Sequence, residues 1–363
     1  GTPPDLDLSW ERKTTTNVGL DFGFLNNRLS GSFDWFYDRT SDIIGTPTIP
    51  TTFGASAPVQ NTYTIDNRGW EIELKYMDKI GDLTYTVGGN ISDFRDKVVS
   101  LGGLGSIDPR YDGGKIVLSS DTYYAEGLAR NGFYLYQTDG LFVDQAEIDA
   151  SIKPSSLTKP GDIKFIDRNG DGQLNSNDRY LSTKTTTPHY IFGFNLGAEY
   201  KGFDLSAIFT GVGERWAMKH RIYTTNNRFD MVLFKNNYER RWTYENPDKW
   251  ADQPRLTTNN WLSGEFATIT GSACEYHLRN YAYIRLKNLQ VGYTLPQRLT
   301  KMFYVSKLRL FFTGENLFYF APGYTETAML DPEADYRFSD GADSGNTVYG
   351  PTKLFSGGIS ITF

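Results

Sequence analysis

The stretch Trp70-Glu71-Ile72-Glu73-Leu74-Lys75-Tyr76 decides the fold class. Trp70, Ile72, Leu74 and Tyr76 alternate with Glu71, Glu73 and Lys75, the period-2 pattern of a strand with one wet face. Three charges in line exclude a strand buried on both sides. Upstream, Leu29, Phe33, Trp35 and Tyr37 alternate with Ser30, Ser32, Asp34 and Asp38. Before that, Val18, Leu20, Phe22 and Phe24 face away from Asn17, Gly19, Asp21 and Gly23. The intervening Asn26-Asn27 suits a two-residue hairpin, because Asn tolerates positive φ. Downstream, Leu83, Tyr85, Val87 and Ile91 alternate with Thr84, Thr86, Asn90 and Ser92. Further on, Phe192, Phe194, Leu196, Ala198 and Tyr200 alternate with Gly193, Asn195, Gly197 and Glu199.

Extended along the chain, this pattern predicts nine strands, at 17–25, 28–39, 68–77, 82–97, 189–200, 203–212, 281–295, 307–319 and 354–363. The links between them alternate: short at Asn26-Asn27, long at 40–67, short at 78–81, very long at 98–188 and short at Lys201-Gly202. They continue long at 213–280, modest at 296–306 and long at 320–353. Hairpins clipped at one end and extended at the other are the habit of outer-membrane β-barrels, with turns facing the periplasm and loops facing outside. A β-sandwich explains the alternation equally well but not the sorted loop lengths. The expected fold is therefore an all-β transmembrane antiparallel barrel in which Glu71, Glu73, Lys75, Asp21 and Asp34 line a polar interior. In 281–295, Arg285 and Lys287 share a face with Leu289, Val291 and Tyr293, so the charged half is expected to project above the bilayer. Strand parity places the terminal Phe363 in the periplasm, on one face with Ile359 and Ile361. A terminal aromatic there looks like the signal by which the barrel assembly machinery recognises its clients.

Composition agrees. Aromatics make up 15% of the 363 residues (24 Tyr, 24 Phe, 7 Trp), yet mean hydropathy is only -0.47. That mixture suits a ring-studded exterior in contact with the lipid bilayer, together with a polar lumen and hydrophilic loops. There is no run of about 18 apolar residues, which excludes a spanning helix. A net charge of -6 offers no general attraction to nucleic acid. The single Cys274 can form no internal disulfide and belongs to no metal or redox motif. The sequence opens on Gly1-Thr-Pro-Pro, and nine strands leave an open edge that would be costly in lipid. The missing partners are expected upstream in a longer polypeptide.

The strongest local motif is Asp167-Arg-Asn169-Gly-Asp171-Gly-Gln173-Leu-Asn175-Ser-Asn-Asp178, inside the 98–188 excursion. Oxygen side chains fall at positions 1, 3, 5, 9 and 12 of twelve, with Gly at 6, the spacing that wraps a hard cation in an EF-hand. The expected ligands are Asp167, Asn169, Asp171, Gln173, Asn175 and Asp178. Ca²⁺ ranks ahead of Mg²⁺, which prefers to keep its waters. Asp in place of Glu at position 12 predicts a weak site, and an Asp/Asn-rich turn without an ion is the alternative. No catalytic constellation is evident: His189, His220 and His277 lack zinc-protease spacing. Tyr123, Tyr124, Tyr134, Trp216, Tyr223 and Trp261 in the long loops could stack on a substrate or simply pack the loops; packing is the commoner use of such rings.

Several stretches together resemble the SusC/RagA family of TonB-dependent outer-membrane transporters. They begin with Asp5-Leu-Asp-Leu-Ser-Trp-Glu11, Thr14 through Gly23, and Lys159-Pro-Gly-Asp-Ile-Lys-Phe-Ile-Asp-Arg-Asn-Gly-Asp-Gly172. Gly193 through Leu196, Lys201 through Ser206, Tyr283 through Pro296, Lys307-Leu-Arg-Leu310 and Gly314-Glu-Asn-Leu317 follow in order. The resemblance implies a 22-stranded barrel with a plugged lumen, of which this chain supplies the nine C-terminal strands. It also implies import of oligosaccharides or peptides, a SusD-like lipoprotein seated on the loops, and energy from TonB acting on a plug. Two other functions stay open: a surface adhesin gripping ligands with its loops, and a soluble carbohydrate-active protein with a dockerin-like calcium loop.

Overall fold

The computed structural model describes residues 5–47, 54, 56–107, 114–118, 122–218, 235–256, 274–323, 331–333 and 351–363. Nine strands form one antiparallel sheet in chain order: β1 (Arg12–Phe24), β2 (Leu29–Gly45), β3 (Gln60–Ile80), β4 (Leu83–Ser100), β5 (His189–Tyr200), β6 (Phe203–Glu214), β7 (Tyr283–Thr294), β8 (Lys307–Phe320) and β9 (Leu354–Thr362). The first four outrun their expected bounds at the long-loop end, where β2 still pairs with β3 at Ile44↔Asn61. Beyond the alternating region the few apolar residues fall out of phase, with Ile43 beside Ile44 in β2 and Tyr63 and Ile65 opposite in parity to Trp70 and Ile72 in β3, so hydrophobic period gives no signal there while the hydrogen-bond ladder continues. Ion pairs support the extension: Arg12 with Asp42 at 2.7 Å, Lys13 with Asp38 at 2.8 Å and Arg39 with Asp66 at 2.7 Å.

The short links sit together at the other end. Gly81-Asp82 and Lys201-Gly202 are two-residue connections, with φ of 61° at Gly81 and of 47° and 89° at Lys201 and Gly202. The first link is longer than expected. Phe24 pairs with Leu29, and Leu25, Asn26 and Asn27 all adopt left-handed φ (56°, 57° and 62°), so four residues make the turn. The end of β9 pairs Thr362 with Lys307, which leaves Phe363 at this short-link end of the sheet.

Register fixes the two faces. One apolar row runs Phe22, Gly31, Leu74, Gly89, Phe194, Phe209, Leu286, Phe318 across eight strands. Phe194 and Phe209 stack at 4.3 Å within it. Val18 and Leu20 on this face are 61% exposed and Ile359 65%. Among the described residues, none of the four buried apolar clusters contains a residue of this band. A sandwich would have spent the face on a dry core; here it is open on every strand.

A β-bulge resolves the awkward parity of β7. Ile208 pairs with Asn288 but the next residue, Phe209, pairs with Leu286, so Lys287 is the extra residue. The face switches at that point. Leu286 joins Leu289 and Val291 on the apolar side, and Arg285 turns to the polar side with Asn288 and Gln290. Arg285 thus sits on the polar face rather than with Leu289, as strict alternation would have it.

Candidate functional site

The polar face carries rows of hydrogen-bonding groups. Asp21, Ser32, Glu73, Asn90, Gly193, Thr210, Arg285 and Tyr319 are successive register partners. A second row runs Gly19, Asp34, Glu71, Ser92, and a third runs Ser30, Lys75, Gly88, Asn195. All five residues assigned to a wet interior, Asp21, Asp34, Glu71, Glu73 and Lys75, therefore share one face. Asp34 and Glu71 stand directly opposite, a repulsive placement that dry surroundings would not tolerate.

Within this face one cation is sequestered. Arg285 is 1% exposed and pairs with Asp331 and, at 3.2 Å, with Glu333 from the 321–353 loop. Lys287 reaches Glu333 at 2.9 Å, and the Arg285 guanidinium lies 5.1 Å over the Tyr319 ring. The bulge therefore puts two cations where a segment of loop can dock against the wall.

Above the wall the long loops build a core of their own. In the 98–188 excursion Ser106–Ile107, Lys115–Leu118, Thr122–Ala125, Gly132–Tyr136 and Arg179–Thr185 form a five-stranded sheet, and Thr138–Leu141 pairs with Ile163–Phe165. A five-residue helix, Gln145–Asp149, is capped by Asp144, which accepts the Glu147 N–H at 2.8 Å. Tyr136, Leu141, Ile163 and Phe165 then pack with Trp242, Ala251, Cys274 and Tyr276 from the loop between β6 and β7. Cys274 is fully buried there.

The Lys159–Phe165 motif is the clasp between the two loops. Asp162 is fully buried, with Arg255 Nε at 2.8 Å and the Lys159 N–H donating at 2.9 Å. Burial pushes the Asp162 carboxyl above the usual carboxylate range, against the pull of the Arg255 guanidinium. Gly161, at φ 87°, lies so close to Trp242 and the Arg255 stem that a Cβ would collide with both. Asp139 adds ion pairs to Lys249 at 2.8 Å and Lys164 at 3.1 Å. Sequence periodicity gives no hint of Asp162, Arg255 or Trp242 as partners, because more than 75 residues of chain, including β5 and β6, separate Asp162 from the other two.

The loop rings divide. Tyr123 and Tyr134 are buried in a cluster with Ile116 and Ala125, and the Tyr123 hydroxyl donates to the Ser182 carbonyl at 2.8 Å. These two rings, candidates for stacking on a substrate, are buried in packing and present no open face to a solute. Trp216 is half-buried beside Phe133 and Leu135; its Nε1–H donates to Glu214 at 2.7 Å, and Lys184 Nζ lies 4.2 Å over the ring. Tyr124 is half-buried and donates to Asn131 at 3.0 Å. Tyr223 and Trp261 lie outside the described residues.

The 167–178 loop coils by side chain to backbone bonds. Asp167 accepts from the Gly170 and Gly172 N–H groups at 2.8 Å each, Asn169 from Asp171 N–H at 3.0 Å, and Asp171 from Gln173 N–H at 2.8 Å. Asp178 is fully buried and accepts from the N–H groups of Arg168 at 2.9 Å and Asn175 at 2.8 Å, while Asn175 caps the turn that follows. The Gly172 N–H, chief among several amide donors, holds the Asp167 carboxyl below its usual range. Among the described residues no three His, Cys, Asp or Glu side chains gather into a metal-binding group. Any cation here would draw on the Asn, Gln and carbonyl oxygens as well as the carboxylates, a donor set that fits calcium and a low affinity.

No protein-family profile matches the chain. It is 27% identical over its whole length to the TonB-dependent receptor P26 of Formosa agariphila and 25% identical over 98% of its length to receptor P3 of the same organism. It is 27% identical over 79% of its length to the TonB-dependent receptor SusC of Bacteroides thetaiotaomicron. The chain spans 36%, 34% and 26% of these three relatives. Among solved structures, the RagAB peptide transporter superposes over the whole chain with a TM-score of 0.72 at 24% identity, covering 36% of that chain. The RagAB peptide importer in its closed-closed state gives 0.71 at 25% identity. These relatives are named as receptors or importers, not enzymes. The nine-stranded sheet has the fold of part of a transporter barrel wall.

Proposed function

We propose, from the premise that this chain is a homologue of the SusC-type TonB-dependent receptors, that it forms part of the wall of an outer-membrane importer for oligosaccharides or peptides. The carrying observation is the division of one sheet into a continuous apolar face open on all nine strands and a polar face with unshielded carboxylates on β1, β2 and β3. Lipid accepts the first and a water-filled passage the second. With Asp21, Asp34, Glu71, Glu73 and Lys75 toward the lumen, a hydrophilic solute meets hydrogen-bonding groups all along its route. The long-link end faces outside and Phe363 the periplasm, where it serves the assembly machinery. The joined loop core provides a broad platform for a SusD-like lipoprotein, and TonB supplies energy through a plug elsewhere in the protein.

The same loops hold a weak calcium site at Asp167, Asn169, Asp171, Gln173, Asn175 and Asp178, with affinity of about 10⁻⁴ to 10⁻³ M, the range of extracellular modules. Its Asx turns support this reading. Calorimetric titration of calcium into the protein tests it, and absence of heat at millimolar ion ends it.

For the transport reading, uptake of candidate glycans and peptides is measured in cells carrying the complete gene, with and without TonB. Loss of uptake in both the gene deletion and the TonB deletion is expected. Unchanged growth on every candidate solute after deletion refutes import, and recovery of the protein in the soluble fraction without detergent refutes the membrane location as well.

A further inference from the structure

The apolar face of β2, β3 and β4 ends abruptly at the long-link end. Trp35 and Trp70 are register partners, and in the row that includes them Asp93 already replaces an apolar residue. The next row on that face is Tyr37, Arg68, Arg95, and the one after it Arg39, Asp66, Lys97. Four cations thus occupy six places just beyond an aromatic pair.

Their countercharges do not balance. Asp66 is engaged by Arg39 through bonds of 2.7 and 2.8 Å. Asp93 is shared between Arg95 at 3.2 Å and His189 at 2.7 Å. Arg68 and Lys97 have no ion pair among the described residues, and both are exposed. Arg68 and Arg95 are direct cross-strand partners, so their Cβ atoms stand about 5 Å apart, a like-charge opposition that destabilises a sheet unless an anion sits between. A cleft of about 410 Å³ opens there, lined by Arg68, Arg95, Lys97 and His189 together with Asp66 and Asp96, and bordered by Ala129 and Thr183 of the long loop; both acids are already neutralised, Asp66 by Arg39 and Asp96 by Arg130 at 2.8 Å.

We propose that this cleft binds the phosphate groups of lipid headgroups in the outer leaflet. Guanidinium groups present fork-shaped donors that match phosphate oxygens two at a time. The location commits the site to lipid: one residue pair beyond Trp35 and Trp70 is about 7 Å along the strands, the depth at which aromatic belts give way to headgroups. Basic residues at that level attract anionic lipid. The inference rests on the reading of the sheet as an outer-membrane wall with its long links outside.

The test uses the complete protein purified from outer membranes and reconstituted in nanodiscs of phosphatidylcholine doped with either a phosphorylated glycolipid or its dephosphorylated form. Retained glycolipid is counted by native mass spectrometry. The unmodified protein is expected to keep the phosphorylated lipid and release the other. Combined Arg68→Gln, Arg95→Gln and Lys97→Gln should weaken retention on the order of a hundredfold, since each basic group near the surface contributes about a fivefold factor. Arg68→Lys with Arg95→Lys keeps the charge and loses the forked donors, so its retention should fall between that of the unmodified protein and that of the Gln variant, which separates charge from folding. Equal retention by the Gln variant, indifference to the lipid phosphate, or displacement by millimolar inorganic phosphate would each overturn the lipid site. A protein absent from the outer membrane would instead overturn the transporter reading.

Discussion

Exchanging one residue for arginine at two adjacent positions of β3 should separate the two faces energetically. Leu74 lies on the apolar face, 46% exposed, between Gly31 and Gly89; Glu73 lies on the polar face between Ser32 and Asn90. Arg68 and Asp78 are the first charges on the apolar side at either end of the strand, ten residue steps apart. At about 3.4 Å per step and a tilt of about 40°, they bracket a band of roughly 26 Å, close to the ~25 Å apolar height of such barrels. Leu74 then sits within about 3 Å of its middle. Arginine at the lipid midplane costs about 2–4 kcal/mol, whereas on a water-filled interior the cost is near zero. Leu74→Arg should therefore lower the folded-to-unfolded ratio by roughly 30- to 900-fold, and Glu73→Arg by less than about fivefold. The assay is equilibrium folding of the complete protein into bilayers across a urea gradient, read by the mobility shift between folded and unfolded forms. Comparable losses for the two variants, or a larger loss for Glu73→Arg, would show that the faces are assigned the wrong way round.

Two further outcomes follow from the loops. Asp162→Ala strips the buried partner from Arg255, a change that costs about 3–5 kcal/mol in comparable buried pairs; hydrogen exchange should accelerate in 138–141, 163–165 and 241–255 together, and acceleration confined to one loop would contradict a common core. The depressed Asp167 carboxyl contributes stability above its unfolded pKa of about 3.9, which is lost as pH falls through the lower folded value. Protection of the Gly170 and Gly172 amides, corrected for intrinsic rates, should therefore hold at neutral pH and fade below pH ~4; loss on going from neutral to alkaline pH would contradict the assignment.

The strands were legible because lipid and water impose opposite demands on neighbouring residues, and Trp70 through Tyr76 records both. At 40–45 and 60–67, where Ile43, Ile44, Tyr63 and Ile65 fall out of phase with the rows below, the ladder persists without a continuous hydrophobic rhythm and escapes notice. Parity counting failed at Lys287 for a different reason. A bulge is a property of the pairing between strands, and nothing in Arg285-Leu-Lys-Asn288 marks one residue as surplus. In the loops the tyrosines were visible but their use was not, since a ring that packs and a ring that greets solute have the same composition. Asp162 stands inside the Lys159–Gly172 stretch that resembles the transporter family, yet its partner Arg255 is apparent only in three dimensions.

That clasp has an evolutionary corollary. Because Trp242, Ala251 and Cys274 complete an interior begun by Leu141 and Ile163, neither excursion can be transplanted between paralogues alone without exposing half an interior. Under the proposed import role, diversification of cargo should proceed by paired exchange of both insertions, or by change at their outer rims, and chimaeras that cut between them should fail in biogenesis before they fail in selectivity.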